Sequence, residues 1–229
     1  ASGTLPRVMP RLESLYGAII TSTRYLQQTL WPSGLAIPYP RLRSYPVWEV
    51  LLSLSVLLAI SLLAWWRRKK NPYLLAGWLW YLVTLLPAIG LVQSGPHAQA
   101  DRYTYIPLIG IFIMIAWGAA DLFAGSRLRP WVLGTGAVAC IVACMIGSRV
   151  QVGRWENTVT IFSHSVEVTK NNGIAHNNLG MKLMEMGDSD AAMAHFQAAI
   201  KGSPRNSYPY LNLGNAYKSK GDFSQAIVH

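Results

Sequence analysis

The chain has 229 residues, of which 52% are hydrophobic and only 13% are charged. A soluble domain carries about 25% charged residues, so this composition favours a membrane protein over a soluble globular one. The net charge of +10 does not indicate nucleic-acid binding, because no recognition motif accompanies it and the densest basic run directly follows an apolar stretch.

Four stretches have the length of a membrane span, which needs about 17–25 mostly apolar residues. They cover residues 47–66, 73–92, 106–123 and 131–147. An earlier stretch, residues 12–30, is amphipathic and contains Arg24. It either crosses the bilayer with Arg24 facing a cavity or lies in the interface, and we favour crossing. We therefore expect a membrane domain over residues 1–150.

The basic loops predict how these spans are oriented. Residues 67–70 form an Arg-Arg-Lys-Lys run between the first two clear spans, and Arg127 and Arg129 lie between the last two. Cytoplasmic loops are rich in such residues, so the loops 31–46 and 94–105 face outward. The compact loops favour a bacterial inner membrane, with the C-terminal half on its outer, periplasmic face.

The C-terminal part repeats itself. Residues 176–183 read HNNLGMKL and residues 210–217 read YLNLGNAY, so that Gly214 follows Gly180 at an interval of 34 residues. This period, with Leu-Gly in the first helix, resembles the tetratricopeptide repeat, a helix-turn-helix unit that stacks into a solenoid. We expect Gly187 and Gly221 to turn the chain between the two helices of each repeat.

The repeat frame defines a second domain over residues 151–229. It contains a degenerate half-repeat at 155–172, a repeat at 173–206 and a truncated repeat at 207–229. Two repeats are too few for stability alone, and there is no initiating Met, so we expect the sequence to be a fragment of a longer chain. The predicted fold is all-α, a multi-span transmembrane bundle followed by a tetratricopeptide solenoid.

Polar residues on the first helices of the repeats are candidates for a groove that binds a protein or peptide partner. They are Asn177, Asn178, Lys182, Asn212, Asn215 and Lys218. The alternative interpretation of each is ordinary solvated helix surface.

The outward loop 95–107 contains a polar cluster next to the bilayer, formed by His97, Asp101, Arg102, Tyr103 and Tyr105. Arg102 has the paired donors that bind a lipid-linked phosphate, with Asp101 orienting it and the tyrosines stacking on a sugar. The alternative is an Asp–Arg pair with interfacial tyrosines.

The sequence Leu85-Leu86-Pro87 followed by Ala100-Asp101-Arg102-Tyr103-Thr104-Tyr105-Ile106-Pro107 resembles the membrane domain of the transmembrane and tetratricopeptide-repeat O-mannosyltransferases and their bacterial relatives. Trp31-Pro32 with Leu35, before a Pro-rich outer loop, is also similar to that family. The resemblance implies a multi-span glycosyltransferase of the GT-C class that transfers a sugar from a polyprenyl phosphate to a protein hydroxyl. Its catalytic carboxylate lies in the first outward loop, which we expect to precede this sequence, so no catalytic residue is assigned.

These patterns favour a membrane glycosyltransferase whose exported repeats hold the acceptor protein or another partner. One alternative is a non-catalytic, membrane-anchored scaffold for envelope proteins, and another is a protein of polysaccharide assembly. We identify no cofactor other than a lipid-linked sugar donor and no metal site, since His164 and His195 are isolated in the sequence. Cys140 and Cys144 are interpreted as small residues buried on one helix face.

Overall fold

The computed structural model describes residues 11–40, 45–87, 89 and 100–228. Within these ranges all regular structure is helical, which confirms the predicted all-α class. The elements are α1 Arg11–Leu30, α2 Val47–Arg67, α3 Pro72–Leu85, the 3-10 helix Asp101–Thr104, α4 Pro107–Leu122, α5 Arg129–Arg154, α6 Thr158–Val168, α7 Gly173–Glu185, α8 Ser189–Gly202, α9 Ser207–Ser219 and α10 Phe223–Val228.

The chain divides into two compact units. Unit 1 comprises residues 1–32 and 42–142, and unit 2 comprises residues 33–41 and 143–229. The helices follow the predicted apolar stretches with two exceptions. Helix α5 continues to Arg154 whereas the predicted span ends at residue 147, and α3 ends at Leu85 whereas the predicted span continues to residue 92. Residues 88 and 90–92 of that stretch lie outside the described part.

The core of unit 1 is built around α3. Trp78 and Tyr81 are almost fully buried, and their rings stack with centroids 5.5 Å apart. Their polar atoms are satisfied, because Trp78 Nε1 donates to Ser61 Oγ at 2.8 Å and the Tyr81 hydroxyl donates to the Ser22 carbonyl at 2.6 Å. These bonds tie α3 to α2 and α1 and remove the cost of burying two polar donors.

Two of the described helices, α2 and α5, are long and apolar enough to cross a membrane, whereas α3 and α4 are apolar but have only 14 and 16 residues. None of the apolar window of α5 is buried within the protein. Cys140 and Cys144 lie in this helix and are exposed. The expectation that they are buried is therefore wrong, because no other described helix packs along α5.

Helix α1 carries the charged residue that interrupts its apolar face. Arg24 forms an ion pair with Glu49 of α2 at 2.5 Å, and the neighbouring Thr23 donates to Ser53 Oγ of α2 at 2.9 Å. The charge is thus compensated by a carboxylate on the adjacent helix, as expected for ionisable groups among apolar helices.

Unit 2 contains the helical repeats. The turns between α7 and α8 and between α9 and α10 pass through Gly187 and Gly221, whose φ angles of 88° and 80° confirm the predicted role of these glycines. A methyl group added at Gly180 would lie 2.7 Å from Phe196 Cε1, so the missing side chain lets α7 and α8 approach closely. Phe196 fills the space between the helices and is 1% exposed.

Unit 2 also includes a segment that precedes it by more than a hundred residues. The backbone N–H of Ile37 donates to Ser165 Oγ on α6 at 3.1 Å, and Asn172 Nδ2 donates to the Pro38 carbonyl at 2.7 Å. Ser165 and Asn172 are both 1% exposed. The loop after α1 therefore packs against α6 and the start of α7.

Candidate functional site

The polar turn before α4 forms the 3-10 helix Asp101–Thr104, closed by a 2.7 Å hydrogen bond from Thr104 Oγ1 to the Asp101 carbonyl. Arg102 and Tyr105 are exposed, whereas Asp101 and Tyr103 are half-buried. His97, the fifth residue of the predicted cluster, lies outside the described residues. Four of the five predicted side chains therefore share one short turn.

Tyr25 of α1 fixes the start of this turn. Its hydroxyl donates to the Ala100 carbonyl at 3.1 Å and accepts the Ala100 N–H at 3.2 Å. Because Tyr25 is only 1% exposed, this pair of hydrogen bonds to the backbone of Ala100 is shielded from solvent and positions Asp101 and Arg102.

The far end of the turn is fixed by α3, since Trp80 Nε1 donates to the Ile106 carbonyl at 2.9 Å. The turn is thus held between α1 and α3 before the chain enters α4 at Pro107. Neither Tyr25 nor Trp80 was predicted from the sequence to position this turn. The one sequence feature that could have indicated Tyr25 is its position next to Arg24 in an amphipathic helix.

The Arg102 guanidinium lies 5.3 Å from the centroid of the Tyr103 ring. No carboxylate of the described residues forms an ion pair with it. A guanidinium presents five donors in a planar fork that matches phosphate or carboxylate oxygens. The turn is therefore suited to bind an anion at its exposed side.

The predicted partner-binding residues of the repeats have different environments. Asn177 is 8% exposed and its side-chain oxygen accepts a 2.9 Å hydrogen bond from Asn212 Nδ2. This hydrogen bond links α7 to α9, so Asn177 and Asn212 stabilise the contact between the two repeats. Lys182 forms an ion pair with Glu185 on the same helix at 2.8 Å.

One open groove is formed along α9. Asn215 and Lys218 line it together with Arg205, Tyr208 and Leu211. Tyr208 and Leu211 are 68% and 59% exposed. Two of the six predicted residues therefore face a groove that also offers aromatic, aliphatic and cationic groups, while Asn178 is half-buried on α7.

His195 is not isolated, contrary to the expectation from the sequence. Its Nδ1 lies 3.0 Å from Nδ1 of His176 across the hairpin formed by α7 and α8. Burial lowers the pKa of both imidazoles below the usual 6.5, and the neighbouring His195 lowers the pKa of His176 further. Spacing along the sequence did not reveal this pair because the two residues lie on different helices.

The fold and the turn define a helical protein that joins apolar helices of membrane-span length to tetratricopeptide repeats. A family model described as TPR repeat matches residues 180–221. The chain is 26% identical over 184 residues to the mouse protein O-mannosyl-transferase TMTC1, which corresponds to 77% of this chain and 20% of that protein.

Other relatives have the same activity in their names. The human protein O-mannosyl-transferase TMTC1 is 26% identical over 165 residues, covering 69% of this chain and 18% of the relative. The Drosophila melanogaster protein O-mannosyl-transferase Tmtc3 is 22% identical over 148 residues, covering 64% and 16%. The chain thus spans a fifth or less of the length of these relatives, and the resemblance inferred from the sequence motifs is confirmed.

Proposed function

We propose that this chain is part of an integral-membrane protein glycosyltransferase that takes its sugar from a polyprenyl phosphate. In this proposal Arg102 binds the phosphate of the lipid, and the repeats bind the acceptor protein or another protein partner. The names of the relatives support the transferase class, and the repeats support a protein partner.

The exposed guanidinium on a braced turn is the observation that carries the proposal. Tyr25 and Trp80 hold the two ends of the turn through hydrogen bonds to the backbone at Ala100 and Ile106, so little conformational freedom is lost when an anion binds. Asp101, Tyr103 and Tyr105 belong to the same turn, and we propose that they orient Arg102 and contact the sugar or the lipid interface. His97 completes the proposed set.

We further propose that the turn and the repeats lie on the outer face of the membrane, the bacterial inner membrane being our preferred location. The basic residues 67–70, Arg127 and Arg129 then face the cytoplasm. In this arrangement the donor phosphate and the protein acceptor meet in one compartment.

A binding experiment with the purified chain in lipid nanodiscs tests the role of Arg102. Polyprenyl phosphate is the probe and the corresponding polyprenol, which lacks the phosphate, is the reference ligand. Arg102→Ala should weaken binding of the phosphate by about 10- to 100-fold, because a charge-assisted hydrogen bond contributes about 1.5–3 kcal/mol. Arg102→Lys should have an intermediate effect, since the charge remains but the planar fork is lost.

Arg68→Ala is a matched control, because the Arg68 guanidinium also lies over an aromatic ring, 4.1 Å from the centroid of Trp65. It lies in the loop that we place on the opposite face. Equal losses for Arg68→Ala and Arg102→Ala, or unchanged binding by Arg102→Ala with the fold retained, would contradict the phosphate role.

The groove along α9 favours a second candidate function, a membrane-anchored scaffold that binds other envelope proteins. Its exposed Tyr208 and Leu211 beside Lys218 suit a peptide with apolar and acidic groups. The scaffold predicts partner binding that depends on the groove and no affinity for polyprenyl phosphate above that for polyprenol, so the same experiment separates the two functions.

A further inference from the structure

The histidine pair of the first complete repeat belongs neither to the polar turn nor to the groove along α9. His176 lies on α7 and His195 lies on α8, and the two Nδ1 atoms are 3.0 Å apart with ring centroids separated by 5.3 Å. Both residues are half-buried, so part of the pair is accessible to solvent.

The helices that carry the rings are held rigidly against each other. Ala175 and Ala192, which adjoin this part of the hairpin, are 0% exposed. Phe196 packs directly against Gly180, where there is no room for a side chain. Gly187 forms the turn between the two helices. Because these contacts fix the helix spacing, the two nitrogens are positioned before any ligand arrives.

We propose that His176 and His195 form a two-histidine site for a borderline divalent transition-metal ion such as Zn²⁺, Cu²⁺ or Ni²⁺. Imidazole nitrogen is a preferred ligand of these ions. Two nitrogens that each lie about 2.1 Å from one ion are about 3.0 Å apart at an angle of about 90° and about 3.4 Å apart at the tetrahedral angle. The observed separation of 3.0 Å therefore matches two adjacent positions of the tetragonal geometry that Cu²⁺ and Ni²⁺ prefer, and a tetrahedral Zn²⁺ site requires the nitrogens to move apart by about 0.4 Å.

The protonation and exposure of the rings fit this assignment. A metal ion binds the neutral imidazole, so protons compete with it. Burial lowers the pKa of both groups below the usual 6.5, which reduces the competition from protons. The open side of the pair leaves the remaining coordination positions to water or to a group from a bound partner.

The repeat frame provides a substitution that removes one ligand and retains the fold. Tyr210 stands 34 residues after His176, at the same position of the next repeat. That position therefore accommodates an aromatic ring in the same helical context, which makes His176→Tyr a suitable variant. His195→Gln removes the other ligand, and His164→Gln is the matched control, because His164 lies on α6 outside the pair.

The test measures binding of Zn²⁺ to the full chain in detergent, purified without a polyhistidine tag, by isothermal titration calorimetry. The wild type and His164→Gln should bind one ion with equal affinity. His176→Tyr and His195→Gln should each weaken this binding by at least about tenfold while the helical circular-dichroism spectrum is retained. The Cu²⁺ complex of the wild type should show coupling to two imidazole nitrogens in its electron paramagnetic resonance spectrum.

Several results would overturn the proposal. One is a wild type that binds Zn²⁺, Cu²⁺ and Ni²⁺ no more tightly than His176→Tyr, in which case the pair only shares a proton. Another is an equal loss of affinity in His164→Gln, and a third is a Cu²⁺ spectrum that shows a single nitrogen ligand. Should either ligand variant unfold, the nitrogen count in the wild-type Cu²⁺ spectrum still decides the outcome.

Discussion

The side-chain amide of Asn172 donates a 2.7 Å hydrogen bond to the backbone carbonyl of Pro38, which lies 134 residues earlier. The same side chain accepts the backbone N–H of Ala175 at 3.1 Å and is 1% exposed. One buried residue therefore both caps the start of α7 and holds the loop that follows α1.

Asn172→Ala should destabilise unit 2 by about 2–4 kcal/mol, since it removes a helix cap and leaves the buried Pro38 carbonyl without its partner. Asn206 is the matched control, because it occupies the same position of the next repeat and caps α9 by accepting the Tyr208 N–H at 3.2 Å. Asn206→Ala should cost only about 1 kcal/mol. Native-state hydrogen exchange of the α7 and α9 amides measures both values, and equal losses would show that the bond to Pro38 contributes nothing.

A second prediction concerns the crossing of α3 and α4. A methyl group added at Gly110 would collide with the backbone of Gly77 and with Trp80, whereas one added at Gly118 of the same helix would meet no atom within 4 Å. Gly110→Ala should therefore destabilise unit 1 by about 1–3 kcal/mol, and Gly118→Ala should be neutral or stabilising because alanine favours helix. Thermal unfolding in detergent compares the two variants, and similar melting temperatures would refute the close crossing.

Acidification should destabilise unit 2 through the histidine pair. Above the usual pKa of 6.5, His176 and His195 are neutral in both the folded and the unfolded chain. As the pH falls below 6.5, the unfolded chain takes up protons that the folded pair resists, so stability decreases until the pH passes the lowered pKa values of the folded state. Melting curves between pH 8 and pH 5 without metal should show this loss.

The variant His176→Tyr/His195→Gln should have a flatter dependence on pH over the same range. A wild type whose stability does not change between pH 7 and pH 5 would contradict the lowered pKa values. The measurement also separates the protonation of the pair from its proposed metal binding, because no metal is added.

The ion pair between Arg24 and Glu49 should be coupled more strongly than a surface pair. Its partners lie on different apolar helices and are separated by 2.5 Å, with side chains 40% and 22% exposed. A double-mutant cycle with Arg24→Gln and Glu49→Gln should give a coupling of about 1–3 kcal/mol. The pair Lys182–Glu185 on α7 is the control and should give about 0.2–0.5 kcal/mol. Equal coupling in the two cycles would mean that Arg24 and Glu49 are fully screened.

The proposed orientation is tested by labelling single cysteines in intact cells, in a background where Cys140 and Cys144 are replaced by serine. Ser126→Cys, in the exposed turn before α5, should resist an impermeant thiol reagent because we place it in the cytoplasm. Ser207→Cys, exposed at the start of α9, should react. Reaction of Ser126→Cys together with protection of Ser207→Cys would reverse the orientation.

Patterns along the sequence predicted the helices and the repeats because both depend on local periodicity. The apolar stretches correspond to α2–α5, and the interval of 34 residues placed Gly187 and Gly221 in turns. The polar residues 101–105 were singled out from their types, since charged and aromatic groups beside apolar stretches are conspicuous, but the 3-10 helix that they form was not predicted.

The contacts that position these groups were not predictable in the same way. Tyr25 bonds to Ala100 across 75 residues, and His176 meets His195 across a helical hairpin. Such pairs depend on which helices pack together and in what register, which one amphipathic pattern does not specify. For the same reason Asn177, assigned to a binding surface, proved to be buried beneath Asn212.

Helix α5 has a practical consequence for anyone who handles this protein. Its 26 residues extend over about 39 Å, and none of its 18-residue apolar window is buried against the described part of the chain. Without detergent or lipid, we expect the protein to aggregate through the exposed apolar surface of this helix. Extraction, storage and every assay must therefore keep a detergent belt or a lipid disc around it.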